Sequence, residues 1–332
     1  MNEEVEFTLS GYEDMELSTQ MVLREAFLRN LTIDILDRKS HLVRLQSGSR
    51  SVVLKEATKT SLESYAVYIL LQDKEATKTI LKEQGIFVPP GRCFYDIDEA
   101  ARFFFNFDAK RIVIKPATRE FGLGVSILDS SAPESAVQQS LKESFSYSPK
   151  AIVEEFIEGS EMRFLVVGAE VVGVCQRVPA NVVGDGTHSI AQLVEIKNRD
   201  PKRGSGHRTP LEKIQLGAAE LLVLKKQGLD PDHVSSSGET IFLRENSNIS
   251  TGGDSIDTTD TVHSSYKALA CRAAEKLGAL ICGVDMILPE PEQPDAGCIL
   301  ELNFNPILYI HDYPYSGINR QVAKKIMDTL GF

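Results

Sequence analysis

Apolar positions recur along this chain in two rhythms. From Leu17 to Arg29 they fall at Met21, Val22, Ala26 and Leu28, on or near one face of a helix, and Thr32 to Leu36 then reads as a strand. Together these predict a small N-terminal α/β unit. Asp73 is placed to cap a helix running to about Gln84, ended by Gly85 and followed by Pro89-Pro90. Arg111 to Lys115 and Ala151 to Ile157 are short strand-like runs. Phe164 to Val167 and Glu170 to Val174 predict a hairpin turning at Gly168-Ala169. Cys282 to Leu288 and Cys298 to Leu302 predict paired strands joined by an exposed Pro/Glu/Asp loop. Two stretches break the rhythm. Asn181 to Gly206, rich in Gly, Asp and Arg with one helix-like interruption, predicts a loop-rich excursion over a site, and Ser235 to Ser255 a second loop region. Strands alternating with amphipathic helices make this a mixed α/β (α+β) chain.

Polar residues inside these apolar runs are the candidates for chemistry. Asp285 lies within Cys282 to Ile287, and Glu301 and Asn303 lie two apart in Glu301 to Pro306. Strand alternation points Glu301 and Asn303 the same way, and a neighbouring strand can set Asp285 beside them. Three hard oxygen donors on one face suit Mg²⁺ together with phosphate oxygens. Taken singly, these carboxylates read equally well as solvent-facing groups on half-buried strands. Lys115 closes the strand Ile112 to Ile114, and Gly122 and Gly124 follow in a stretch where backbone N–H groups can approach phosphate. Alone, that stretch reads as an ordinary tight turn. Val153 to Glu161 holds Glu154, Glu155, Ile157 and Glu161, which can offer backbone groups to an adenine and a carboxylate to a ribose, or form a solvated acidic turn. No full P-loop, G-x-S-x-G or H-E-x-x-H pattern occurs.

Composition narrows the classes. The 332 residues are 42% hydrophobic and 25% charged, with a formal net charge of -11. Such acidity disfavours nucleic acid and anionic membrane as partners. Five scattered cysteines without C-x-x-C pairing argue against a zinc or disulfide framework; Cys175, Cys282 and Cys298 read as small core residues. Met1 to Ser10 carries three glutamates and no apolar h-region, and no apolar run approaches the ~20 residues of a membrane helix. A cytoplasmic location is expected.

These features, in this order, resemble the ATP-grasp superfamily over nearly the whole chain, and most closely the glutathione synthetase module of bifunctional glutamate–cysteine ligase/glutathione synthetases. The resemblance is carried by GYEDMELSTQ (Gly11 to Gln20), RVPANVVGDG (Arg177 to Gly186), HRTPLEKIQL (His207 to Leu216) and RENSNISTGGD (Arg244 to Asp254). Cyanophycin synthetases have similar stretches. The resemblance implies an N-terminal unit over residues 1–72, then two ATP-grasp subdomains, 73–160 and 161–332, clasping ATP. It implies Lys74 and Lys115 on the ATP phosphates, Glu154, Glu155 and Ile157 at adenine, the latter two through backbone, and Glu161 on ribose. Asp285, Glu301 and Asn303 would hold two Mg²⁺, or Mn²⁺, with Glu301 bridging. Arg177 and Arg244 would face the reaction centre, and Arg208, Asn246, Asn248, Gly252 and Gly253 the substrates.

The implied activity joins γ-glutamylcysteine to glycine through an acyl phosphate, releasing ADP and phosphate. Its partners are therefore small molecules, a γ-glutamyl dipeptide and an amino acid, and relatives suggest a homodimer. A related peptide ligase, cyanophycin-like or otherwise, and a non-catalytic nucleotide-binding module are the alternatives. With only the second module of the bifunctional relatives present, the dipeptide is expected from elsewhere, unless the substrate differs or the chain is a fragment. Thr118 to Gly124 and Val182 to Arg208 are the expected lids. The second carries Lys202, Arg203, His207 and Arg208, read either as a mobile solvated charge run or as recruiting an anionic dipeptide. Asp254, Asp257 and Asp260 are expected to be capping or solvated residues.

Overall fold

The computed structural model describes residues 7–118, 124–294 and 296–332. The chain runs α1 (Leu17–Leu28), β1 (Thr32–Asp37), β2 (Leu42–Ser47), β3 (Arg50–Lys55), β4 (Lys59–Thr60), α2 (Tyr65–Gln72) and α3 (Lys74–Glu83). There follow β5 (Gly91–Phe94), α4 (Ile97–Asn106), β6 (Arg111–Pro116), β7 (Ser126–Asp129), α5 (Glu134–Tyr147), β8 (Ala151–Glu155), β9 (Ser160–Val167) and β10 (Glu170–Val178). Next come β11 (Asn181–Val183), α6 (Ile190–Lys197), β12 (Arg203–Gly204), β13 (Leu211–Glu212), α7 (Ala218–Lys226), β14 (Thr240–Phe242) and β15 (Asp254–Asp257). The last are α8 (Ser264–Leu277), β16 (Ile281–Leu288), β17 (Cys298–Asn303), α9 (Tyr309–Asp312) and α10 (Val322–Leu330).

Two compact units divide this chain. The first comprises Met1–Leu62, Val172–Asp260 and Asn305–Phe332, and the second Glu63–Val171 and Thr261–Phe304. The chain crosses from one to the other four times, so both units are discontinuous.

In the first unit, β1 to β4 form an antiparallel meander. Strand alternation buries Val43 and Leu45 of β2 and Val52 and Leu54 of β3 on one face. Helix α1 buries Leu17, Met21, Val22, Leu23 and Ala26, and packs on α10. Asn181 to Gly206 contains the helix-like interruption expected, α6, and folds into a core of its own unit. Ser189 and Gln192 form a capping box for α6, whose Ile190, Leu193 and Val194 enter a core with Val182, Ile214, Leu224 and Ile241.

In the second unit, β5, β8, β6 and β7 form an antiparallel sheet in that order, over a core of Phe94, Phe104, Ile112, Ile114, Leu141 and Val153 beside α4 and α5. Strands β9, β16 and β17 pair antiparallel, with Asp285 opposite Arg163 on one side and Glu301 on the other. The hairpin turn stands at Gly168, with φ +63. Asp73 caps α3 as expected, accepting the Glu75 and Ala76 N–H groups. Among the described residues no helix is long and apolar enough to cross a membrane.

Candidate active site

The geometry starts from the cap of α3. Besides holding two backbone N–H groups, Asp73 accepts the Lys150 ammonium at 2.6 Å, so the helix start is fixed from a second direction. A fixed start aims the residues that follow. Lys74 and Lys78 are four apart and share a face. Lys74 Nζ stands 3.0 Å from Glu301 on β17, and Lys78 is bound to Glu154 on β8. Lys115, from β6, reaches the other Glu154 oxygen at 2.6 Å. Glu154 is only 2% exposed.

Beside this cluster lie the three candidate metal ligands. The ladder is irregular between Asp285 and Met286, which re-aims the strand there. Asn303 Nδ2 lies 3.4 Å from both Asp285 Oδ2 and Glu301 Oε1, so the three side chains do converge. Turning the Asn303 amide over would present its oxygen at the same place, giving three hard oxygen donors. That donor set fits Mg²⁺ or Mn²⁺. Among the described residues no three His, Cys, Asp or Glu side chains gather to hold a metal, and Asn303 is the amide that stands beside this pair of carboxylates. Arg163 donates through Nε and Nη2 to the two Asp285 oxygens, the latter at 2.7 Å, and balances a carboxylate that is 2% exposed.

In this cluster four cations (Lys74, Lys78, Lys115 and Arg163) face three carboxylates (Glu154, Asp285 and Glu301). The excess is positive, within a chain whose net charge is -11. Burial pushes the Glu301 pKa up, but Lys74 and then Lys115 outweigh it and hold the carboxyl far below its usual range. Glu154 is likewise held low against its burial, by Lys115 and Lys78. Burial and the neighbouring Lys115 push Lys78 down to about 8. A buried site with surplus cations beside grouped oxygens suits a polyanion that arrives with a divalent cation.

Family models match the part of this region up to residue 178 and the segment before it. One, an ATP-grasp-like domain, covers residues 13–66, and another, the phosphoribosylglycinamide synthetase ATP-grasp (A) domain, covers residues 72–178. The chain is 47% identical over 329 residues to the glutathione biosynthesis bifunctional protein GshAB of Clostridium perfringens, covering 98% of this chain and 42% of that protein. The GshAB of Listeria innocua is 45% identical, covering 99% of this chain and 43% of that protein. The solved structure of a bifunctional glutathione synthetase from Pasteurella multocida matches with a TM-score of 0.78 at 39% identity, over 98% of this chain and 45% of that one. The chain belongs to the ATP-grasp superfamily. It spans less than half the length of the curated relatives it matches.

The remaining expected site residues of this ATP-grasp chain fall into two groups. Glu155, Ile157 and Glu161 lie in the second unit and are half-buried. The Glu155 N–H donates to the Pro90 carbonyl at 2.8 Å, so an adenine contact from Glu155 is left to its carbonyl. The Glu154 side chain is held by Lys78 and Lys115 and does not project outward. Gly124 has φ +70, and a Cβ there would stand 2.7 Å from the Tyr147 ring. Gly122, with most of the lid expected over Thr118 to Gly124, lies outside the described residues.

Arg177, Arg208, Arg244, Asn246, Asn248, Gly252 and Gly253 all belong to the first unit. Arg177 is half-buried on β10, opposite Ser255. Arg244 pairs with the buried Glu220 at 2.6 Å, and Arg208 is exposed. Asn248 caps a 3-10 turn, accepting Ser250 N–H at 3.0 Å, and Asn246 accepts the Thr251 hydroxyl at 3.2 Å. Gly252 and Gly253 are buried. The close approach they permit is to Ile214, 2.9 Å from a Cβ at Gly252, and to the Asn248 and Val178 carbonyls at Gly253.

Two expectations are corrected in this unit. Arg203 is not an exposed recruiting charge. It is buried, bound to Asp254, and donates to the Glu212 and Gly252 carbonyls at 2.7 and 3.1 Å. Asp254 in turn is not solvated, since Lys197 reaches its other oxygen at 2.6 Å. Asp257 is bound by Arg320. Lys202 donates to the Pro314 carbonyl at 2.5 Å. Lys78, Lys150 and Arg163 were absent from the expected set. Lys78 carried a signal, being one helical turn from Lys74, and so did Arg163, a charge at the head of the apolar run Phe164 to Val167.

Proposed function

We propose that this chain is an ATP-dependent carboxylate–amine ligase that joins γ-glutamylcysteine to glycine, giving glutathione, ADP and phosphate. The observation that carries the reading is the 47% identity over 98% of the chain to a glutathione biosynthesis protein. The surplus of cations around Glu154, Asp285 and Glu301 supports it. Carboxylates do not exchange their oxygen for an amine unaided, because the leaving group would be oxide. In the proposed reaction a carboxylate oxygen bonds the γ-phosphorus as the bond to ADP breaks. The amine then attacks the carbonyl carbon, loses a proton, and expels phosphate with that oxygen.

Lys74 and Lys115 offset the charge of the transferring phosphates, and the Glu155 carbonyl and Ile157 backbone face adenine, with Glu161 on ribose. Two Mg²⁺, or Mn²⁺, held by Asp285, Glu301 and Asn303, would supply further charge neutralisation and alignment at the phosphates. Arg177 would stabilise the tetrahedral oxyanion, a contribution of ~3 kcal/mol where such donors have been removed. Arg244, Arg208, Asn246 and Asn248 would contact the substrates. The acyl phosphate needs protection from water.

The test is ADP release by the purified chain with Mg²⁺-ATP, γ-glutamylcysteine and glycine, each omitted in turn. Tripeptide and ADP only with both substrates support the reading. ADP with the dipeptide alone, and no tripeptide with glycine, moves the amine specificity elsewhere. No turnover in any combination overturns it.

A further inference from the structure

Glu154 is shared by two lysines from different elements. Lys115 of β6 holds one oxygen at 2.6 Å and Lys78 of α3 holds the other. All three side chains are buried or nearly so, with Lys78 and Lys115 each 12% exposed and Glu154 3%. The neighbouring strand runs close beside it, since a Cβ at Gly91 would stand 2.5 Å from Glu154 Cβ. Lys74, by contrast, forms its ion pair with Glu301, at 3.0 Å. Lys115 also feels the charge of Glu301, one of the expected metal ligands.

One carboxylate needs one counter-ion. If Lys115 were its sole partner, drawing that ammonium onto a phosphate would strand a buried charge, which costs several kcal/mol. We propose that Lys78 is a positioning residue, the counter-ion that Glu154 keeps when Lys115 turns its ammonium to a nucleotide phosphate. This rests on reading the second unit as the nucleotide site. Lys78 itself does not touch the nucleotide. It acts by letting Lys115 leave Glu154 without uncovering it. Because two ammoniums on one carboxylate repel each other, nucleotide binding also relieves a strain of like charges.

The experiment compares equilibrium binding of ADP and of adenosine to the full chain, in Mg²⁺ buffer, by competition against a fluorescent nucleotide. For Lys78→Met the expected result is ADP weakened about tenfold or more, the equivalent of one withheld charge-assisted contact, with adenosine within about twofold of the parent chain. Lys78→Arg should restore most of the ADP affinity. Glu154→Gln removes the need for any counter-ion, so Lys78→Met in that background should change ADP binding no further. This second comparison keeps the test decisive if Lys78→Met alone folds poorly. Equal losses for ADP and adenosine, or a further ADP loss in the Glu154→Gln background, would overturn the proposal. The first would make Lys78 a pocket-shaping residue and the second a direct phosphate ligand. A parent chain that binds ADP no better than adenosine would instead overturn the nucleotide reading itself, and the inference with it.

Discussion

Replacing Arg163 by Met should destabilise the second unit sharply, and its size follows from the burial of its partner. Arg163 and Asp285 have side-chain exposures of 8% and 3%, and the guanidinium contacts both carboxylate oxygens. Methionine keeps much of the stem that packs between strands but removes the charge. Asp285 would then lose both guanidinium contacts and keep the Asn303 amide at 3.4 Å. Breaking a buried pair from one side costs about 3–5 kcal/mol. At roughly 2–4 °C per kcal/mol for a large domain, the melting temperature should fall by about 10 °C. The assay is thermal unfolding followed by circular dichroism at pH 7. Removing both charges, in Arg163→Met with Asp285→Asn, should recover more than half of the loss, because no buried ion is left stranded. Millimolar Mg²⁺ should raise the melting temperature of Arg163→Met more than that of the parent chain, since a cation between Asp285 and Glu301 replaces the missing charge. A single variant that melts within a degree or so of the parent would refute the reasoning, showing that Asp285 does not depend on this counter-ion.

Two further outcomes test the first unit. Asp312 is 8% exposed and accepts Val322 N–H at 2.9 Å at the start of α10, and burial pushes its pKa up to about 6, partly offset by that backbone contact. A raised carboxyl contributes stability that is present below its unfolded pKa and is lost as pH rises through about 6. Asp312→Asn keeps the acceptor without the charge, so its advantage over the parent chain should grow to roughly 2–3 kcal/mol between pH 4 and 7 in urea unfolding. A pH-independent difference would exclude Asp312 as the cause. Gly252 has φ +91 and Ile214 Cα 2.9 Å from any Cβ, so Gly252→Ala should cost about 1–3 kcal/mol in the same assay. An unchanged stability would move the requirement for glycine from packing to a ligand.

The parts of this site legible in the sequence were those with a local period. Strand alternation put Glu301 and Asn303 on one face, and the apolar runs around Asp285 marked it as a carboxylate in need of a partner. The Asp73 cap was likewise written in its own neighbourhood, before a periodic helix and two prolines. What escaped was set by distant partners. Asp254 and Arg203 are 51 residues apart, and nothing local distinguishes that buried pair from two loop charges. Helix α6 was legible as a helix-like interruption, but the core it enters with Ile214, Leu224 and Ile241 was not. Lys78 carried only the weak signal of its spacing from Lys74, because its meaning depends on where β6 and β8 bring Lys115 and Glu154.

In the proposed reaction the acid substrate is activated by taking a phosphoryl group on its own oxygen. The direct measurement is turnover of γ-glutamylcysteine carrying ¹⁸O in its cysteinyl carboxylate, with glycine and unlabelled Mg²⁺-ATP, followed by mass analysis of the released phosphate. An acyl phosphate predicts one ¹⁸O in each phosphate formed. Phosphate free of ¹⁸O, with peptide still produced, would contradict it.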